Sequence, residues 1–147
     1  MRADAANAGR GDRVLFTGMT HDVHDYFRAA DVFVLPSRRE GLPIALLEAM
    51  ACALPCVASL LPGSTDIIIT HGETGLLVPV GDVQALADAI AMVLGDERRA
   101  TALGAAARLR VAERFANTDV ADQWLGAYRS VISSPAPAAH ASPLSPP

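Results

Sequence analysis

The sequence has 147 residues, a net charge of −4 and 51% apolar residues, which is one domain with enough apolar side chain for a core. The acidic balance excludes nucleic acid or an anionic membrane surface as the main partner. No apolar run reaches the about 20 residues that a membrane span needs. All twelve basic residues are arginine, and no lysine occurs anywhere. Cys52 and Cys56 are too few for a disulfide scaffold and read as reduced, buried thiols. No secretory leader is read in residues 1–10, so a cytoplasmic setting is expected.

Residues 1–12 form a polar segment rich in small side chains. "RVLFTG" (13–18) reads as a short buried strand closed by Gly18. "HDVHDYFRAA" (21–30) reads as a short helix with Val23, Phe27 and Ala30 on one side. "DVFVLPS" (31–37) predicts a second strand, apolar on both faces and stopped by Pro36. "LPIALLEAMAC" (42–52) predicts a helix with Pro43 in its first turn, and "LPCVAS" (54–59) a third strand. "LLPGSTDIIIT" (60–70) is a loop leading into a short helical turn, and "HGETGLLVPVGD" (71–82) a Gly-marked turn with a short strand. Asp82 is the predicted N-cap of a helix carrying Val83, Leu86, Ile90 and Val93 at three- and four-residue spacing. Two further helices are predicted over 97–116 and 118–133. The tail, 134–147, has the Pro/Ala/Ser-rich composition of disordered chain.

Alternating helices and strands, the strands apolar on both faces, specify a parallel sheet covered on both sides. The expected fold is α/β, a Rossmann-like parallel sheet over 13–133 that ends in C-terminal helices. Such sheets bind ligands beyond the carboxyl ends of their strands, and "PSRREGLP" (36–43) lies at such an end.

The 42–52 helix is apolar almost all the way round, which predicts that it is buried. Glu48 is its one ionisable residue. An unpaired carboxylate there costs several kcal/mol, on the order of other buried charges. Glu48 therefore reaches a polar rim or has a dedicated partner; the two hydroxyls of a ribose suit a carboxylate, at about 1.5–3 kcal/mol per charge-assisted bond. Glu40 precedes the helix in a turn with Gly41, where the backbone can approach a ligand. The amides of Gly41, Leu42, Ile44 and Ala45 sit at a helix start, which favours phosphate. The plainer reading stays open on these residues alone: Glu40 serving the helix dipole, and Glu48 half exposed beside Ala45, Ala49 and Cys52.

"ADVFVLPSRREGLPIALLEAMACALPCVAS" followed by "GETGLLVPVGDVQALADAI" closely resembles the C-terminal, donor-binding half of family-four glycosyltransferases of the GT-B fold. Glu40 and Glu48 stand at the spacing of that family's glutamate motif, and the resemblance runs from about Arg13 to Ile132. It implies that Glu40 faces the donor sugar and the reaction centre. Gly41 and Leu42 would offer amides to the sugar and diphosphate, Glu48 would hold the ribose, and Gly18 and Met19 would line the base pocket. It further implies a retaining transfer of a hexosyl group from a nucleotide-diphosphate sugar to a sugar, a lipid-linked sugar or a small molecule, with no bound metal and no cofactor. The sequence departs from the family pattern at Ala53, where glycine is frequent, at Gly63, where a glycine pair is common, and at Asp66, which stands where glutamate is usual. Two strands, a basic Arg/Lys pair and a whole N-terminal domain that precede "RVLFTG" in the family have no counterpart here. A truncated chain is therefore expected, complemented by a missing N-terminal domain or a partner chain. The alternative function is a non-catalytic remnant that binds nucleotide weakly or associates with a partner.

The remaining residues carry weaker signals. His21, His24 and His71 lack metal-ligand spacing, and His140 lies in the tail. The Cys52/Cys56 pair straddles a helix end and a strand, so zinc is not expected. Ser64 and Thr65 read as helix caps or as sugar-pocket residues, with capping preferred. Trp124 and Tyr128, at i and i+4, read as core packing or as a surface left uncovered by an absent domain. Arg38 and Arg39 are solvated or contribute to a phosphate site. A response-regulator-like domain is disfavoured because Asp31 begins a strand rather than ending one.

Overall fold

A computed structural model describes residues 2–20, 22–115 and 117–133. Helix α1 (Arg2–Asn7) and a 3-10 turn (Gly11–Arg13) lead to α2 (Val23–Ala29). Strands and helices then alternate as β1 (Phe33–Leu35), α3 (Ile44–Ala51), β2 (Cys56–Ser59), α4 (Thr65–Ile68), β3 (Leu76–Val78) and α5 (Val83–Gly95). Helices α6 (Glu97–Arg114) and α7 (Asn117–Ser133) follow.

The three strands form one parallel sheet in the order β1-β2-β3, with Val34 opposite Val57 and Ala58 opposite Leu77. β2 is central, and all four of its residues are buried. Its side chains alternate with the two-residue period of a strand. Cys56 and Ala58 join the core formed by Phe27, Leu46, Ala49, Met50, Ile68 and Ala107. Val57 points the other way, to Leu76, Val78, Ala89, Val93 and Leu103. Helices α2, α3 and α4 thus cover one face and α5 the other, while α6 contributes to both cores through Ala107 and Leu103. This is the expected α/β class. Full burial of a side chain such as Leu46 or Met50 contributes about 1.5–3 kcal/mol.

The caps of the C-terminal half follow the sequence rules. Asp82 accepts the Ala85 amide at 2.9 Å and starts α5. Asp96 does the same for α6 through the Arg99 amide at 3.0 Å. The end of α3 is a Schellman turn, in which the Leu54 amide reaches the Ala49 carbonyl and the Ala53 amide the Met50 carbonyl. Ala53 occupies its left-handed position at φ +58. Alanine carries the strain that glycine at this position avoids.

Several expectations fail for physical reasons. Residues 13–18 form no strand; beyond the 3-10 turn that ends at Arg13 they carry no regular secondary structure, and Leu15 is 83% exposed. A strand needs a neighbouring ladder, and none among the described residues lies beside this segment. β1 is half-buried rather than covered on both faces, because among the described residues it pairs with β2 alone and stands at the sheet's edge. Helix α3 is not buried all round: Leu46, Ala49 and Met50 face the core, whereas Ile44, Ala45 and Ala51 face solvent. Pro43 is the residue before the helix, where its carbonyl accepts the Leu46 and Leu47 amides. α2 starts at Val23. His21 and the 134–147 tail, with His140, lie outside the described residues.

Candidate functional site

The carboxyl ends of β1 and β2 deliver two loops to one place. From the first, the Ser37 hydroxyl donates to Glu40 Oε1 at 2.6 Å, so the half-buried carboxylate is held by its own turn. From the second, the Ser64 hydroxyl donates to the Gly41 carbonyl at 2.7 Å, across 23 residues of sequence. Ser64 is therefore not the expected side-chain cap of α4. Its backbone amide reaches Asp66 Oδ1 at 3.1 Å instead. Thr65 does not cap either; its hydroxyl accepts the Leu61 amide at 2.9 Å and donates to the Ser59 carbonyl at 2.6 Å, closing the loop on the end of β2.

The amides of Gly41, Leu42, Ile44 and Ala45 make no hydrogen bond to the described residues, and no side chain caps α3. They are orphan donors at a helix N-terminus and attract an anion. A Cβ added at Gly41 would meet nothing within 4 Å, and the residue has no left-handed backbone. Nothing among the described residues calls for glycine there. Glu48 lies one helical turn further on, at the margin between the buried and solvent faces of α3. It is half-buried, and its carboxylate has no hydrogen bond or ion pair with the described residues. The premise of an all-round buried helix is thus corrected, while the absence of a partner for Glu48 stands.

Met19 is 94% exposed, and Gly18, at φ +71, has open space where a Cβ would stand. Arg38 and Arg39 are solvent-facing. Arg38 also borders a recess of about 200 Å³ at the carboxyl ends of the strands, with Pro36, Ser59, Pro79, Gly81 and Asp82. A larger cleft of about 650 Å³, bordered by Phe27, Arg28, Asp31, Cys52, Pro55 and Glu97, lies at the opposite, amino-terminal end of the strands. Parallel sheets present ligand sites at carboxyl ends, so the smaller recess lies at the expected end of the sheet, and it shares the β1–α3 loop with the candidate site through Pro36 and Arg38. Among the described residues there is no cluster of three or more His, Cys, Asp or Glu suited to a metal. No helix among them is long and apolar enough to cross a membrane.

The two cysteines differ. Cys52 is half-buried, contrary to expectation, with its Sγ 4.0 Å from His24 Nδ1. Cys56 is buried, donates to the Leu54 carbonyl at 3.1 Å, and has its thiol pushed up to about 12 by burial. A thiol reagent at pH 8 is expected to label one cysteine per native chain, Cys52, and both after denaturation. Rapid native labelling of both would contradict the packing of β2. An unfolded Cys56 loses its proton near 9.0, whereas the folded one keeps it to about 12. Folding stability therefore falls as pH rises through that window.

The sequence reading missed three residues: the hydroxyls of Ser37 and Ser64 in these roles, and Arg110. Arg110, on α6, donates from Nε to the Ile68 carbonyl at 2.5 Å and from Nη2 to the Ile67 carbonyl at 2.9 Å. It clamps the carboxyl end of α4, which carries Ser64 at its other end. No local pattern announces Arg110, since its partners lie more than forty residues away. Trp124 and Tyr128 are not core residues. Both are 59% exposed and their rings lie 5.7 Å apart, against each other.

A family model described as "Glycosyl transferases group 1" matches residues 1–96. The chain belongs to this family. It is 36% identical over 121 residues to the N-acetyl-alpha-D-glucosaminyl L-malate synthase of Bacillus anthracis, covering 82% of this chain and 32% of that protein. Its fold superposes on sucrose-phosphate synthase from Thermosynechococcus elongatus with a TM-score of 0.82 and 37% identity, covering 89% of this chain and 34% of the other. It likewise matches the Anabaena protein HepE, solved in complex with UDP-glucose, at a TM-score of 0.83 and 25% identity, covering 88% and 35%. The chain spans about a third of the length of the curated relatives it matches. In this member of the family the β1–α3 turn, with Glu40, follows the carboxyl end of β1, and Glu48 lies within α3.

Proposed function

We propose that this chain is the donor-binding part of a retaining glycosyltransferase that moves a hexosyl group from a nucleotide-diphosphate sugar to a sugar, lipid-linked or small-molecule acceptor. The observation that carries the reading is the set of four unbonded amides at the start of α3, flanked by a restrained Glu40 and an unpartnered Glu48. The amides and the helix N-terminus receive the diphosphate and offset the charge it gains as the anomeric C–O bond breaks. Glu40, fixed by Ser37, faces the anomeric carbon and stabilises the positive charge that develops there. Glu48 accepts from the two ribose hydroxyls. Gly18 and Met19 stand on the base side. No metal or cofactor is assigned, because the amides supply the neutralisation that a cation would otherwise give. A relative solved with UDP-glucose supports the donor class. The reading places the chain in the cytoplasm, where such donors are made.

Isothermal calorimetry of the chain with UDP, GDP and their hexosyl conjugates tests the reading. Saturable binding of at least one nucleoside diphosphate is expected; none for any of them overturns it. The second reading, a non-catalytic chain that associates with a partner, is favoured by the edge of β1 that no described residue pairs and by the exposed Trp124–Tyr128 pair. Light scattering that shows a monomer at every concentration, together with nucleotide binding, would count against self-association.

A further inference from the structure

We propose that Ser64 is a positioning residue: it fixes the Gly41–Leu42 peptide plane so that the Leu42 amide faces the donor's diphosphate. This rests on the reading of the 41–45 amides as the diphosphate site.

A trans peptide group is planar, with its C=O and N–H pointing in opposite directions. The Ser64 hydroxyl holds the Gly41 carbonyl at 2.7 Å, so the Leu42 N–H is turned the opposite way, where it has no partner in the described chain. Left alone, this peptide would have little to hold it. Glycine on one side has wide conformational freedom, and a Cβ at Gly41 would touch nothing. The clamp itself is firm. Ser64 is only 4% exposed, so water does not compete for its hydroxyl. Its backbone is held by the Leu61 carbonyl at 3.1 Å and by Asp66. Arg110 fixes the far end of α4 to α6. Donation into the Gly41 carbonyl also polarises the peptide and strengthens the Leu42 N–H as a donor. Ser37 does for the Glu40 carboxylate what Ser64 does for the next peptide: each loop contributes one hydroxyl, and together they set the turn.

The test titrates wild type, Ser64→Ala and Ser64→Thr with UDP, GDP, uridine and guanosine, followed by amide NMR spectra, which read weak as well as tight binding. Ser64→Ala is expected to weaken the diphosphate bound by wild type about tenfold, with the matching nucleoside unchanged. Ser64→Thr keeps a hydroxyl and is expected to retain most of the diphosphate affinity. A merely structural role would lower nucleoside and diphosphate affinity together; that outcome, or unchanged diphosphate affinity in Ser64→Ala, overturns the proposal. Should Ser64→Ala not fold, wild type decides: the Leu42 amide signal is expected to move with the diphosphate and not with the nucleoside, and a stationary Leu42 signal overturns the proposal. A wild type that binds no diphosphate at all removes the donor-site reading itself, and this inference with it, which separates the two failures.

Discussion

Gly104→Ala is expected to destabilise the chain by about 3 kcal/mol or more, a large effect for one added methyl group. A Cβ at Gly104 would stand 2.0 Å from the Ala53 carbonyl oxygen and 2.9 Å from its carbon. Both are backbone atoms, so no rotamer change relieves the overlap. Helix α6 would have to lift from the end of α3, opening the seam where Ala107 meets Leu46, Ala49 and Met50. Gly126→Ala is the control, because a Cβ there meets nothing within 4 Å; it is expected to be neutral or to stabilise by up to about 1 kcal/mol. Ala53→Gly is expected to act in the opposite direction to Gly104→Ala. It removes a left-handed alanine at φ +58 and stabilises by about 1 kcal/mol. It does not rescue Gly104→Ala, since the clash is with the Ala53 carbonyl and not with its methyl. Urea midpoints read the three single changes and the Ala53→Gly/Gly104→Ala double variant. An unaltered midpoint for Gly104→Ala would mean that α3 and α6 do not cross this closely.

Glu48→Ala is expected to weaken nucleoside diphosphate binding about ten- to hundredfold, the loss of one or two charge-assisted hydrogen bonds. The same change is expected to leave stability level or raise it by a few tenths of a kcal/mol, because alanine favours helix slightly more than glutamate. The split follows from the geometry. The carboxylate has no partner in the described chain, so its removal strands no donor. A glutamate retained for structure would show the reverse pattern, with lower stability and unchanged binding. Calorimetry and thermal melting on one preparation separate the two.

The sequence made the helix-strand alternation and the Asp82 cap legible because their determinants are local. Asp82 sits beside its helix, and β2 is continuous apolar chain between turn residues. Two elements misled for a common reason. Residues 13–18 and the 42–52 helix carry the apolar pattern of buried structure, but burial requires a neighbour. Coil at 13–18 lacks a paired strand among the described residues, and α3 shows Ile44 and Ala45 to solvent. Composition reports what a segment could bury and not whether a partner stands opposite. Within the candidate site, Glu40, Gly41 and Glu48 were singled out by their spacing relative to a helix start, a local pattern. Ser64 and Arg110 were not, since each acts on atoms 23 or more residues away through a backbone carbonyl, which leaves no residue-type signature. Cys52 was read as buried on the average behaviour of its residue type, whereas its place at the end of α3 leaves it half open.

The central claim is that Glu48 grips the ribose of a nucleotide donor. The most direct measurement compares UDP and GDP with their 2′-deoxy counterparts on the native chain and on Glu48→Ala. The native chain is expected to prefer the ribose form by about tenfold, and the preference is expected to vanish in the variant. Equal affinity for ribose and deoxyribose forms in the native chain, or a preference that survives loss of the carboxylate, would contradict the claim.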